Sequence, residues 1–208
     1  MGSVRPTTSY EIMKKVCLLG DPGVGKTSLI HRFVTDLFDD NYISTIGAKI
    51  TKKAIAIDIP ERELQVKLIL MIWDLAGQKE YRAFHEMHLK GMEGVLAVAD
   101  LTRKNTTDSL KGALQMADRT GVDVPMVFML NKADLAEPSD ADLKDIRTLA
   151  SGKSIPVLAT SARTGLNVEL AFQKLGRLMV EAWADKKFGK RPAAQGLRPQ
   201  TGQDAHPG

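Results

Sequence analysis

Cysteine is nearly absent from this 208-residue chain: Cys17 is the single one, so no disulfide can close within it. Set in the apolar run Val16–Leu19, it reads as a small buried hydrophobe, which fits a reducing, cytoplasmic setting. Long hydrophobic runs are missing too. None approaches the ~18 residues of a membrane span, and Met1–Glu11 has no apolar stretch of the kind found in export signals. Position six after Met-Gly is Pro6, where myristoylation needs Ser or Thr, and His206-Pro207-Gly208 offers no cysteine for prenylation. A lipid anchor is therefore not expected. The histidines His31, His85, His88 and His206 are too scattered for a zinc motif, and no internal repeat is visible.

The body lacks an excess of charge of either sign. The net charge of +4 resides in residues 186–208, where Lys186, Lys187, Lys190, Arg191 and Arg198 face only Asp204. The rest of the chain balances, so the high pI describes a tail and no nucleic-acid partner is expected. The tail's cations are too dilute for a membrane-binding cluster and read as a solvated linker. With 43% hydrophobic and 26% charged residues, the composition is that of a globular protein with one core. The expected division is a frayed extension over 1–11, one monomeric domain over 12–185 and a disordered basic tail over 186–208.

What is there alternates. An apolar run ending at Leu19 reads as a buried strand, followed by a helix with Leu29, Ile30, Phe33 and Leu37 at helical spacing. Asp36–Ser44 is a polar loop. Ile46–Ile59 and Leu64–Asp74, broken by Pro60-Glu61-Arg62-Glu63, read as an antiparallel hairpin with one side of Ala54–Ile59 against the body. Strands at Gly94–Ala99, Pro125–Leu130 and Ile155–Ala159 then alternate with helices at Thr107–Arg119, Ser139–Ala150 and from Val168 onward. The helix at Ser139 opens on a capping-box pattern, Ser139-x-x-Asp142. Such alternation predicts an α/β fold with a mostly parallel sheet and helices on both faces.

Between the first strand and helix lies Gly20-Asp21-Pro22-Gly23-Val24-Gly25-Lys26-Thr27-Ser28. This is a phosphate-binding loop in its strand–loop–helix setting. Glycines let backbone N–H groups approach phosphate oxygens, and the helix points its positive end at the same anion. Lys26 is expected at the β- and γ-phosphates and the Thr27 hydroxyl on Mg²⁺. Asn131-Lys132-Ala133-Asp134 follows a strand at the edge where α/β folds bind ligands. A carboxylate at Asp134 accepts both N1–H and the 2-amino group of guanine, a donor pair that adenine lacks. In Trp73-Asp74-Leu75-Ala76-Gly77-Gln78, Asp74 is placed for the metal, the Gly77 N–H for the γ-phosphate and Gln78 for an attacking water. Thr45, in Thr45-Ile46-Gly47, is placed to complete the Mg²⁺ shell while a γ-phosphate orders its loop.

With the motifs GDPGVGKT, STIG, WDLAGQ, NKAD and TSAR in order over about Lys14–Asp185, the chain resembles a small GTPase of the Ras superfamily, nearest the Rab-like branch. The resemblance implies a P-loop G domain with a six-stranded sheet, one strand antiparallel. It further implies a switch that binds GTP or GDP with Mg²⁺ and hydrolyses GTP slowly. Catalysis would rest on Gln78, Lys26 and Gly77. It places Phe38 beside the guanine, Tyr42 over the phosphates and the backbone N–H of Ala162, in Ser161-Ala162-Arg163, at the guanine O6. Asn131 would brace the loops and Lys132 stack along the base. Effector, GAP and exchange-factor proteins would read Ile43–Ile50 and Gly77–His88.

Departures from the family pattern lie at Pro22, at Lys79 in place of the usual Glu, and in the aromatic triad. Of that triad only Trp73 matches, with Ile50 and His88 at the other two positions. The sequence places no arginine at the γ-phosphate in cis, so an external activator is expected. Two rivals stand beside this reading. One is a GTP-binding scaffold with negligible hydrolysis, suggested by Pro22 and Lys79. The other is a P-loop ATPase or kinase, disfavoured by Asn131–Asp134.

Overall fold

The computed structural model describes residues 8–35, 48–75, 89–103, 106–119 and 123–190. The elements run β1 (Thr8–Leu19), α1 (Lys26–Thr35), β2 (Ala48–Ile59), β3 (Leu64–Leu75), β4 (Gly94–Asp100), α2 (Thr106–Asp118), β5 (Met126–Asn131), α3 (Asp140–Ser151), β6 (Val157–Ala159) and α4 (Val168–Phe188). They build a six-stranded sheet of order β2-β3-β1-β4-β5-β6. Only β2 against β3 is antiparallel; the other four pairings are parallel. The expected α/β sheet with one antiparallel strand is therefore present. The hairpin turns through a 3₁₀ turn at Pro60–Arg62, closed by Glu63 in the left-handed region with its N–H on the Pro60 carbonyl.

Alternation along the strands sorts side chains to two faces. Val16 and Leu18 join Leu68, Leu70, Ile72, Val98 and Met129 under α1 and α4, through Leu29, Phe33, Phe172 and Leu175. Cys17 and Leu19 join Val95, Ala97, Phe128 and Leu130 under α2 and α3, through Leu110, Ala113 and Ile146. Helices thus cover both faces, as parallel strands require. Phe33 and Phe172 stack at 3.8 Å between centroids and fix α1 on α4. In β2, Ile55, Ile57 and Ile59 are buried while Ala54, Ala56 and Asp58 face outward, which is the one-sided burial read from that run. Desolvation pushes the Cys17 thiol up to about 11, so it packs as a hydrophobe and is inert as a nucleophile.

Two boundaries move. The frayed extension was expected to reach Glu11, yet β1 begins at Thr8, paired with Leu64 of β3, and the Thr8 N–H donates to the Glu63 carbonyl at 2.9 Å. A long neighbouring strand recruits these polar residues through the backbone ladder, which needs no apolar side chain. The basic tail was expected from Lys186, yet α4 continues to Phe188. Its last turn is held by Trp183 and Phe188 around Tyr10, at 5.2 and 5.8 Å, and by Arg62 on Asp185 and on the Gly189 carbonyl. The expected loop at Asp36–Ser44 and the tail beyond Lys190 lie outside the described residues. No helix among the described residues is long and apolar enough to cross a membrane.

Candidate functional site

The carboxyl ends of the parallel strands gather the sequence motifs at one rim. After β1 the phosphate loop turns into α1, and Lys26 is its most constrained side chain. The residue is only 8% exposed, and its ammonium donates to the carbonyls of Gly20 at 2.8 Å and Asp21 at 3.1 Å, wrapping the loop around itself. Burial pulls its pKa below the ordinary lysine value, against the opposing carboxylates of Asp74 and Asp21. A cation stripped of water in this way gains most from an arriving anion.

Thr27 follows on the first turn of α1, where its hydroxyl donates to the Asp74 carboxylate at 2.6 Å. Asp74 is the penultimate residue of β3 and is buried. A hydroxyl and a carboxylate are the hard oxygen donors that suit Mg²⁺, which keeps waters and phosphate oxygens for the rest of its shell. Among the described residues no three His, Cys, Asp or Glu side chains gather to hold a metal by themselves. Two hard donors beside a phosphate cradle fit a metal whose shell the nucleotide completes.

Asn131 ends β5, buried, and reaches two loops. Its Nδ2 donates to the Val24 carbonyl at 2.8 Å, and its Oδ1 accepts from the Ala162 N–H at 3.2 Å and from the Thr160 hydroxyl at 3.5 Å. Gly25 makes this approach possible. It adopts φ +101°, and a Cβ there would lie 2.3 Å from the Asn131 amide nitrogen. The Asp134 carboxylate accepts from the Ser161 hydroxyl at 2.6 Å, and Ser161 accepts in turn from the Thr164 N–H. This fixes one carboxylate oxygen at an exposed position on the rim. Arg163, two residues after Ser161, is exposed.

Asp21, Gly23, Val24, Gly25, Lys26, Thr27, Ser28, Asp74, Asn131, Lys132, Asp134, Ser161, Ala162 and Arg163 therefore share one edge, borne by the carboxyl ends of β3 and β5, the first turn of α1 and the loops that follow β1, β5 and β6. Phe38, Tyr42, Thr45, Gly77 and Gln78 lie outside the described residues, as do Lys79 and His88. Of the segments expected to meet partners, Gly77–His88 lies outside, and the described end of Ile43–Ile50 shows Ile50 half exposed and paired with Trp73. The Lys15 ammonium lies 4.1 Å from the Trp73 ring centre.

Asp100 escaped the sequence reading, which ended β4 one residue earlier. It is buried at the rim and accepts from Lys132 Nζ at 2.5 Å and from the N–H and hydroxyl of Thr102 at 3.0 and 2.7 Å. Burial alone would raise its pKa, but the bonds from Lys132 and Thr102 outweigh it and hold the carboxyl below its usual value. An acidic residue closing a wholly apolar strand was the available signal.

Comparison with known proteins points to one family. The Ras family model matches residues 15–181. The chain is 32% identical over 191 residues to the GTP-binding protein ypt1 of Schizosaccharomyces pombe, covering 91% of each chain. It is 34% identical over 171 residues to the human Ras-related protein Rab-37, covering 81% of this chain and 74% of that one. A match of this length, on a sheet that carries every described motif on one edge, makes the chain a member of the Ras family, with relatives in its Rab branch, and so a GTP-binding, GTP-hydrolysing molecular switch.

Proposed function

We propose that this chain acts as a Rab-like switch through the residues gathered at the rim, with Mg²⁺ as cofactor and protein partners reading its nucleotide state. The observation that supports the reading best is Asn131, whose one side chain bonds both the phosphate loop and the loop carrying Ala162. A phosphate cradle and a base-reading carboxylate are thereby held in one register, as a nucleoside triphosphate demands.

In this reading the backbone N–H groups from Gly23 to Ser28 and the positive end of α1 receive the phosphates. Lys26 turns from its loop carbonyls to the β- and γ-phosphates. Thr27, Asp74 and Thr45 would hold Mg²⁺, which would supply neutralisation of the developing phosphate charge. Asp134 accepts from the guanine edge, Lys132 flanks the base and Phe38 and Tyr42 cover the nucleotide. The Gly77 N–H donates to the γ-phosphate, and Gln78 orients a water in line with it. The water oxygen bonds to the γ-phosphorus as the bond to the bridging oxygen breaks, giving GDP and phosphate.

Arg103 is engaged with Pro22 and Asp100, and the cation that speeds hydrolysis is supplied by a GAP. Effectors and exchange factors dock on Ile43–Ile50 and Gly77–His88, and the chain works as a cytoplasmic monomer.

The test is base readout. Denaturing the purified protein should release guanine nucleotide on chromatography. Asp134→Asn should lower GDP affinity by at least about tenfold while improving xanthosine diphosphate binding, because a guanine N–H pair then meets an amide in place of a carboxylate. Bound adenine nucleotide, or an Asp134→Asn variant with unchanged preference, overturns the assignment.

A further inference from the structure

Arg103 stands at the start of the connection from β4 to α2, with no place in the nucleotide motifs. Its guanidinium nevertheless lies on the phosphate loop. Nη1 donates to the Pro22 carbonyl at 2.7 Å, across 81 residues of sequence. A Cβ on Gly23 would lie 2.7 Å from Nη2, so the glycine is what lets the plane settle there. Nε pairs with Asp100 Oδ2 at 3.1 Å, the same oxygen that takes Lys132 Nζ. Pro22, Arg103, Asp100 and Lys132 thus form one continuous run of bonds from the phosphate loop to the Asn131–Asp134 loop. A second tie lies next to it: Ser109 on α2 donates to Asp21 Oδ2 at 2.5 Å.

We propose that Arg103 is a positioning residue that, with Ser109, straps the phosphate loop to the β4–α2 connection and slows release of bound guanine nucleotide. The chemistry of each part suits that task. Pro22 has no N–H, so its carbonyl is the backbone hydrogen-bonding group through which that residue can be held. A planar guanidinium spans a carbonyl and a carboxylate at once, which a lysine ammonium does less well. Asp100 is a firm anchor because it is buried and already fixed by Thr102. Nucleotide leaves when the phosphate loop opens, and opening must first break the bonds at Pro22 and Asp21. The strap rests on the reading of this loop as the nucleotide site, and the experiment separates the two.

The full chain is loaded with a fluorescent N-methylanthraniloyl GDP, and release is followed after adding excess GDP at fixed magnesium. Arg103→Ala should speed release about tenfold, the scale of one charge-assisted hydrogen bond. Ser109→Ala should speed it about threefold, and Arg103→Lys should recover part of the loss. Lys111→Ala removes an exposed cation from the same helix, paired only loosely with Asp108 at 3.5 Å, and should leave release unchanged. Release from Arg103→Ala within twofold of the parent, or an equal effect of Lys111→Ala, overturns the strap while leaving the site intact. A parent chain that retains no labelled GDP overturns both.

Discussion

The carboxylate of Asp100 gives up water at the rim and receives donors from Thr102, Lys132 and Arg103 in exchange. Its pKa in the folded chain lies below the ordinary value, so the unfolded chain binds the proton more readily. Stability from this group is complete above the unfolded pKa of about 3.9 and is lost as pH falls through the lower folded value. Asp100→Asn keeps the shape and removes the charge. Chemical denaturation at pH 7 should find the variant less stable by about 1–3 kcal/mol, the range for charge-assisted bonds. The gap should narrow below about pH 4 as the parent's own carboxyl takes up a proton. A gap that stays constant down to pH 3 would show that Asp100 contributes no charge-dependent stability. Lys26 is the opposite case. Its lowered pKa marks a charge held at a cost that the fold does not recover by itself, and which a bound phosphate would offset.

Among the elements, α4 packs closely on the sheet at Gly176. A Cβ there would lie 2.8 Å from the Ile55 Cδ1, 3.2 Å from the Leu68 Cδ2 and 3.3 Å from the Ile57 Cδ1. All three neighbours are terminal methyls that can swing aside. Gly176→Ala therefore gains about 1 kcal/mol of helix propensity against an overpacking cost of similar size, and should change stability by less than about 1 kcal/mol. Gly176→Leu forces α4 off β2 and β3 and should cost about 2–3 kcal/mol. Equal unfolding midpoints for the two variants would contradict the close packing.

The same contrast between local pattern and distant contact decides what the sequence discloses. Apolar runs and the Ser139 cap, which accepts the Asp142 N–H at 3.1 Å, are local, and the strands, helices and cap they predict are present. So was the antiparallel hairpin, from its turn and its alternating isoleucines. Thr8–Glu11 and Lys186–Phe188 are structured by partners far along the chain, Leu64 and Tyr10, and carry no helical or strand pattern of their own. Arg103 and Ser109 meet the phosphate loop across 81 and 88 residues, and no spacing rule reaches that far.

At the scale of the whole molecule, the sheet separates stability from nucleotide handling along one strand. β1 delivers the phosphate loop from its carboxyl end, while Tyr10 near its start packs on Trp183 and Phe188 of α4 with the Lys187 ammonium 4.5 Å from the Tyr10 ring centre. Ten residues of strand put roughly 30 Å between these two places. A chain ending at Lys190 keeps this aromatic cluster and the bonds from Arg62, and its melting temperature should stay within about 2 °C of the parent. A chain ending at Ala182 loses Trp183, Asp185 and Phe188 together. About 2–4 kcal/mol of packing and pairing goes with them, roughly 5–10 °C for a domain of this size. Release of labelled GDP should be the same in both, because the ties on the phosphate loop come from β4, α2 and β5. Faster release from the shorter chain, measured well below its melting temperature, would show that the aromatic end and the nucleotide rim are coupled through β1.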